Sequence, residues 1–401
     1  MSSQANLATD WRAGYGPIAH RSETIERMQA LVQRLVAQRR IADEASAHAL
    51  LAAADRVACT AMSVVAHMTY ARRIDRSGCP LGSDDFKQTP EGHTGGSLNM
   101  VPAFVGYLLA NALTGTTRGW LMGQGHCVAA IEAVNALTGD VSAAQRGRYD
   151  RSEAGLSRLI ADFYSYAIDK QGRPAVPLGS HAGPNTAGAI SEGGYLGFAG
   201  LQYVHTPLPG ESLVAFLSDG AFEEHRGSDW APRWWRAEDC GFAIPVMILN
   251  GRRIEQRTQI VQEGGATWLA EDLRHNGFDP VIVDGRDPMA IAWAIVEAED
   301  TLSAFAARSD RRYPVKLPYV IAETEKGFGF PGAATNAAHN LPLDGNPRED
   351  AQAREAFNAG AAALFVPETE LENALTILAN HGQSRRSRES EHPMALRHPA
   401  S

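Results

Sequence analysis

Apolar residues Ile25, Met28, Val32, Leu35 and Val36 recur at helical spacing behind Ser22 or Thr24 as a cap, and an alanine-rich stretch follows over 43–70. The first 80 residues therefore read as helical, forming a cover and not the site. From about Gly92 the pattern changes. Short apolar runs at 120–122, 212–217, 243–249, 281–283 and 319–322 alternate with helical stretches. That alternation predicts an α/β fold: a doubly wound, mostly parallel sheet with helices on both faces, preceded by a helical extension. Beyond Asn346 the helical pattern returns over 357–363 and 370–378, and residues 384–391 form a charged, polar run that reads as an exposed linker or tail. The expected division is 1–84 for the helical extension, 85–345 for the α/β domain and 346–401 for the last helical segment and tail.

Ligands of such sheets bind at the carboxyl ends of the strands. The residues just after the apolar runs are Gly123-Gln124-Gly125-His126, Ser218-Asp219-Gly220, Asn250-Gly251 and Glu323-Thr324-Glu325-Lys326-Gly327. Glycines and polar groups stand there in place of plain turns.

Composition narrows the function. A formal charge of −9, with 44% hydrophobic and 21% charged residues, suits a soluble globular protein and argues against a nucleic-acid surface. The polar start lacks an apolar signal core, and the longest apolar run, 101–113, carries Asn111 and is shorter than the ~18 residues of a membrane span. A cytoplasmic protein without membrane contact is expected. Cys59, Cys79, Cys127 and Cys240 show no metal or disulfide spacing, so buried free thiols are expected.

Asp219 and Asn250 each follow a buried-strand run, 250 − 219 = 31 positions apart, about one crossover plus a strand. Brought to one sheet edge, a carboxylate, an amide oxygen and the backbone carbonyl of Arg252 form an oxygen set suited to Mg²⁺ or Ca²⁺. A helix beginning near Ala221 would aim free N–H groups at the same place, so a diphosphate is the expected ligand. Both dipeptides read equally as tight turns when taken alone. Four histidines sit in glycine-lined loops: Gly92-His93-Thr94-Gly95-Gly96, Gly125-His126, Ser180-His181-Ala182-Gly183-Pro184 and Ala338-His339-Asn340-Leu341-Pro342-Leu343. Imidazole can donate, accept and shuttle protons near neutral pH, so their gathering at one edge points to proton-transfer chemistry. His67, His205, His225, His275, His381, His392 and His398 have no such setting.

In this order, with Ser191-Glu192-Gly193-Gly194-Tyr195-Leu196-Gly197 and Lys326-Gly327-Phe328, the motifs over 85–345 resemble the N-terminal half of phosphoketolases that act on xylulose 5-phosphate and fructose 6-phosphate. Transketolases share much of the histidine order. The resemblance implies thiamine diphosphate as cofactor, with His93, His126, His181 and His339 around its thiazolium ring and the ketose hydroxyls. It also implies Lys326 near the diphosphate, and Gly125, Gly193, Gly194, Ser218, Asp219, Gly220 and Asn250 lining the cofactor. A lysine merely solvated beside a strand is the competing reading of Lys326. The chain departs from the phosphoketolase pattern at Ser218 (glycine there), Ala221 and Tyr195 (glutamate there) and Cys127 (glycine there).

In the resembling enzymes the other, pyrimidine-binding half activates the cofactor. No second set of strands for it is visible here, so a partner subunit or a missing C-terminal half is expected, in a dimer or an α₂β₂ assembly acting on a sugar phosphate. Three alternatives are a ketose-phosphate epimerase, a non-catalytic regulatory subunit and a nicotinamide dehydrogenase. The last requires Gly-x-Gly-x-x-Gly, and Gly123-Gln124-Gly125-His126-Cys127-Val128 lacks the third glycine. The tryptophans of 229–236 read as packing anchors.

Overall fold

The computed structural model describes residues 11–116, 118–141, 143–177, 212–223, 235–238, 241–254 and 256–382. Its sheet is built from strands β1 (Gly119–Met122), β2 (Ser212–Ser218) and β3 (Phe242–Leu249), followed after a small hairpin, β4 (Arg252–Arg253) and β5 (Gln256–Arg257), by β6 (Phe278–Asp284) and β7 (Leu317–Glu323). The five long strands run parallel in the order β1-β2-β3-β7-β6. All five correspond to the apolar runs expected from the sequence. The hairpin, whose two short strands are polar, had no such signal.

Side chains alternate between two cores along the central strands, as the pleat requires. Val246 and Ile248 enter the larger core, while Met247 and Leu249 enter a smaller one with Leu269, Leu273 and Trp235. Helices therefore cover both faces, and strands buried on both sides read as unbroken apolar runs. The larger core joins α1 (Ser22–Ala37), α2 (Glu44–Tyr70), α3 (Thr94–Thr114), α4 (Val128–Thr138), α5 (Glu153–Asp162) and, after the short α6 (Asp219–Phe222) and α7 (Ala266–His275), α8 (Pro288–Ala306), α9 (Ala351–Ala363) and α10 (Glu368–Gly382).

The N-terminal region is helical, but α2 is no cover. Every residue from Ala49 to Tyr70 is buried, and α2 packs on α3, α4 and α10 at the middle of the molecule. An alanine-rich helix without a polar face has no side to offer water. By length and hydropathy α2 and α3 would each suffice to cross a membrane; both are core helices, and the apolar run 101–113 is part of the longer α3. Ser22 proves to be the first helical residue, with Arg21 at the cap position and no capping side chain.

The extended segment before α1 is pinned by His20. Its Nε2 hydrogen-bonds Asp55 of α2 at 3.0 Å, and its Nδ1 lies 3.0 Å from Asp287, which caps α8. Burial opposes charge on this imidazole, but the two carboxylates outweigh it and push its pKa up to about 10. Burial in turn raises the Asp55 carboxyl to about 6 despite His20.

Candidate active site

The carboxyl ends of β1, β2, β3 and β7 open at one edge of the sheet, and α3 begins there. Gly95 and Gly96 make that start possible. A Cβ at Gly95 would lie 2.1 Å from the carbonyl oxygen of Ala338 and 3.0 Å from Lys326 Cγ; one at Gly96 would lie 2.7 Å from Cys127 Sγ and 3.4 Å from His126 Nε2. With hydrogen in place of both, the first turn of α3 packs against the His126 loop on one side and the His339 loop on the other.

Three of the expected histidines meet there. The rings of His93 and His126 are 5.3 Å apart, those of His93 and His339 5.6 Å, and those of His126 and His339 5.6 Å. All three are held toward the neutral form. Burial and the neighbouring imidazoles and Lys326 depress His126 to about 3; burial, Lys326 and His93 bring His339 to about 4; burial lowers His93, against the hydrogen bond that it donates to Asn340. That bond joins His93 Nδ1 to Asn340 Oδ1 at 3.1 Å. An amide oxygen only accepts, so Nδ1 carries the proton and Nε2 keeps its lone pair. His339 Nδ1 is buried and without a partner among the described residues, a donor or acceptor waiting for one.

Lys326 is 3% exposed, which removes the reading of a solvated lysine. Its Nζ donates to the carbonyl oxygen of Arg252 at 3.3 Å, and burial lowers its pKa while Asp219 opposes that shift. Asn99, on α3, organises this loop: Nδ2 donates to the Glu325 carbonyl at 2.7 Å, and Oδ1 accepts from Gly327 N–H at 3.4 Å.

Asp219 is 1% exposed. Its two oxygens accept the amides of Gly220 at 2.9 Å and Gly251 at 2.7 Å, so the loops after β2 and β3 are tied together at the residue following Asn250. Burial raises its pKa to about 7, against those amides and Lys326. Both of its hydrogen-bond donors are neutral amides, so a negative charge buried there is left to partners at longer range such as Lys326. Asn250 Oδ1 accepts the amide of Arg252 at 3.1 Å, and the Arg252 guanidinium donates to Asn336 and to the Ala334 carbonyl. The donor set of carboxylate, amide and carbonyl oxygens is hard and suits Mg²⁺ or Ca²⁺, although the Arg252 carbonyl is shared with Lys326. Ser218, where glycine is the rule, accepts the amide of Ala221 at 3.3 Å and caps α6, a use of the hydroxyl that glycine lacks.

His181, Gly193 and Gly194 lie outside the described residues. Gly125 is buried beside His126, and Gly220 stands 3.2 Å from the Arg253 stem by its missing Cβ. Asn99, Asn340 and Tyr164, whose hydroxyl accepts the His93 amide at 3.2 Å, were not foreseen. Asn340 lies within the Ala-His-Asn-Leu-Pro-Leu motif, but its partner is 247 positions away in sequence. Among the cysteines, Cys59 and Cys127 are buried, while Cys79 is exposed in a polar turn against expectation.

The family described as XFP N-terminal domain matches residues 46–381. The chain belongs to that family. That family is the N-terminal half of the thiamine diphosphate-dependent phosphoketolases. Curated relatives include a probable phosphoketolase of Streptomyces coelicolor, 32% identical over 228 residues, covering 50% of this chain and 27% of that protein. Another, of Mycolicibacterium paratuberculosis, is 28% identical over 335 residues, covering 77% of this chain and 40% of the relative. The chain thus spans well under half the length of these relatives. Among solved structures, a transketolase R525L mutant from Pichia stipitis is 17% identical, with a TM-score of 0.48, covering 82% of this chain and 44% of the other.

Proposed function

We propose that this chain is the diphosphate- and metal-binding half of a thiamine diphosphate enzyme that cleaves ketose phosphates or transfers a two-carbon ketol unit, acting with a pyrimidine-binding partner half. The observation that carries the proposal is the convergence of three neutral imidazoles, Lys326 and the tied Asp219 and Asn250 loops on one sheet edge. Asp219, Asn250 and the Arg252 carbonyl would hold the divalent cation and, through it, the diphosphate. The bound cofactor supplies an electron sink for carbon–carbon cleavage.

The chain's own residues do the rest. His93, with Nδ1 committed to Asn340, presents an acceptor at Nε2 for a substrate hydroxyl proton. His126 and His339, held neutral, hydrogen-bond without adding positive charge beside a cationic ring. Lys326, dry and close to Asp219, offsets developing negative charge. That the chain spans 40% or less of these relatives supports the need for a second half.

The test is reconstitution with the product of the adjacent open reading frame, thiamine diphosphate and Mg²⁺, supplied with xylulose 5-phosphate and inorganic phosphate. Acetyl phosphate is the phosphoketolase product, and a longer sugar formed with an aldose acceptor is the transketolase product. Formation of a stereoisomer alone, or the absence of magnesium-dependent cofactor binding, overturns the proposal.

A further inference from the structure

The turn that carries His93 is gripped by two tyrosines in unfavourable backbone conformations. Tyr164 and Tyr166 have φ of 63° and 51°, in the left-handed region that bulky side chains rarely enter. Strain of this kind persists only where the surroundings hold it, and here they do. Lys87 Nζ donates to the Phe163 carbonyl at 3.0 Å and to that of Met68. Arg148 and Tyr149 both hold Asp162, the last residue of α5, the hydroxyl of Tyr149 at 2.8 Å. The ring of Tyr164 is buried against Phe163, with ring centres 4.7 Å apart.

What the strained segment reaches is specific. The buried Tyr164 hydroxyl accepts the backbone N–H of His93 at 3.2 Å, and the half-exposed Tyr166 donates to Glu91 Oε1 at 2.8 Å. From the opposite side Asn340 holds the His93 ring, and its carbonyl accepts from the Thr94 hydroxyl at 2.6 Å. The Glu91–Thr94 turn is therefore held by two elements, one at the Glu91 carboxylate and the His93 amide, the other at the His93 ring and Thr94.

We propose that Tyr164 is a positioning residue, and that with the Tyr166–Glu91 pair it clamps the turn before α3 so that the His93 imidazole faces His126 and His339. Each of the two strained tyrosines carries one contact to this turn, which gives the strain a use. The clamp's importance for turnover rests on the function proposed above, but its existence does not.

The experiment follows the imidazole C–H signal of His93 by NMR in the full chain, with the exposed His275, at the end of α7 on the other core, as internal reference. In Tyr164→Phe the ring and its packing stay and the hydroxyl goes; the His93 signal is expected to shift and broaden while that of His275 stays in place. Tyr166→Phe, at a half-exposed position, should shift His93 in the same sense by less. In the reconstituted enzyme Tyr164→Phe should lower kcat about 10- to 100-fold with KM little changed, as a small misplacement of a catalytic group does. An unmoved His93 signal in Tyr164→Phe overturns the proposal; should that variant fail to fold, an unmoved signal in Tyr166→Phe does so. If no thiamine diphosphate binds, the functional reading fails while the NMR comparison still decides the clamp.

Discussion

Lys326 donates to the carbonyl oxygen of Arg252 across 3.3 Å, so the ammonium of the loop after β7 sits on the loop after β3. From there its charge acts on all three imidazoles, lowering each. Lys326→Met keeps most of the buried stem and removes that charge. The imidazole pKa values of His126 and His339 should then rise from about 3 and about 4 toward the ordinary histidine value, read by NMR titration. Unchanged titration would show that burial and the neighbouring imidazoles set them.

Asp219→Asn tests the cation site. The substitution removes the charge, and wherever the new amide group faces Gly220 or Gly251 it places donor against donor. Magnesium-dependent binding of thiamine diphosphate, followed calorimetrically with the partner half present, should weaken by about 100-fold or more, since a buried ion without its counter-charge is strongly penalised. Equal affinity in the variant would remove Asp219 from the site.

The glycines before the histidine cluster give a test of packing. Gly95→Ala places a methyl group 2.1 Å from the Ala338 carbonyl, backbone that cannot swing aside, and should destabilise the protein by about 1–3 kcal/mol or more. Gly147→Ala, with nothing within 4 Å, should stay within about 0.5 kcal/mol in the same denaturant titration.

His20 sets an alkaline limit. Its folded pKa, about 10, is above its unfolded value of 6.5, so the folded state binds more protons between those values and stability falls as pH rises through that window. The slope from this group is at most about 1.4 kcal/mol per pH unit. His20→Gln should be less stable at pH 7 and should flatten the decline of Tm between pH 7 and 10. A variant as steep as the parent would place the alkaline sensitivity elsewhere.

The central strands β2, β3 and β7 were legible because both their faces are largely buried; the edge strands β1 and β6 showed only short apolar runs, β6 carrying the exposed Asp279 before its Val281–Val283 stretch. Asp219, Asn250, Lys326 and the three histidines were legible for a related reason: each stands among glycines or polar groups at a strand end or loop where a simple turn would suffice. The central place of α2 was misjudged. Alanine spacing shows a helix, whereas its burial depends on what packs around it, including α10 some 300 residues later. Tyr164, Asn340 and His20 act through hydrogen bonds or ion pairs to segments distant in sequence, and those partners cannot be read from the residues around them. Trp235 is buried on Phe242, Phe305 and Tyr313, with Nε1 donating to the Gly241 carbonyl, a packing anchor as expected.

Because α2 has no watery side, the opening third of the chain and its closing helices share one interior with the sheet. Excising residues 85–345 as a minimal catalytic piece would strip α3 of two of the helices it leans on and lay bare the floor beneath His93. Any shortened version meant for crystallography or engineering must keep the strip from His20 to Tyr70 and both final helices, or it will clump before it can be assayed.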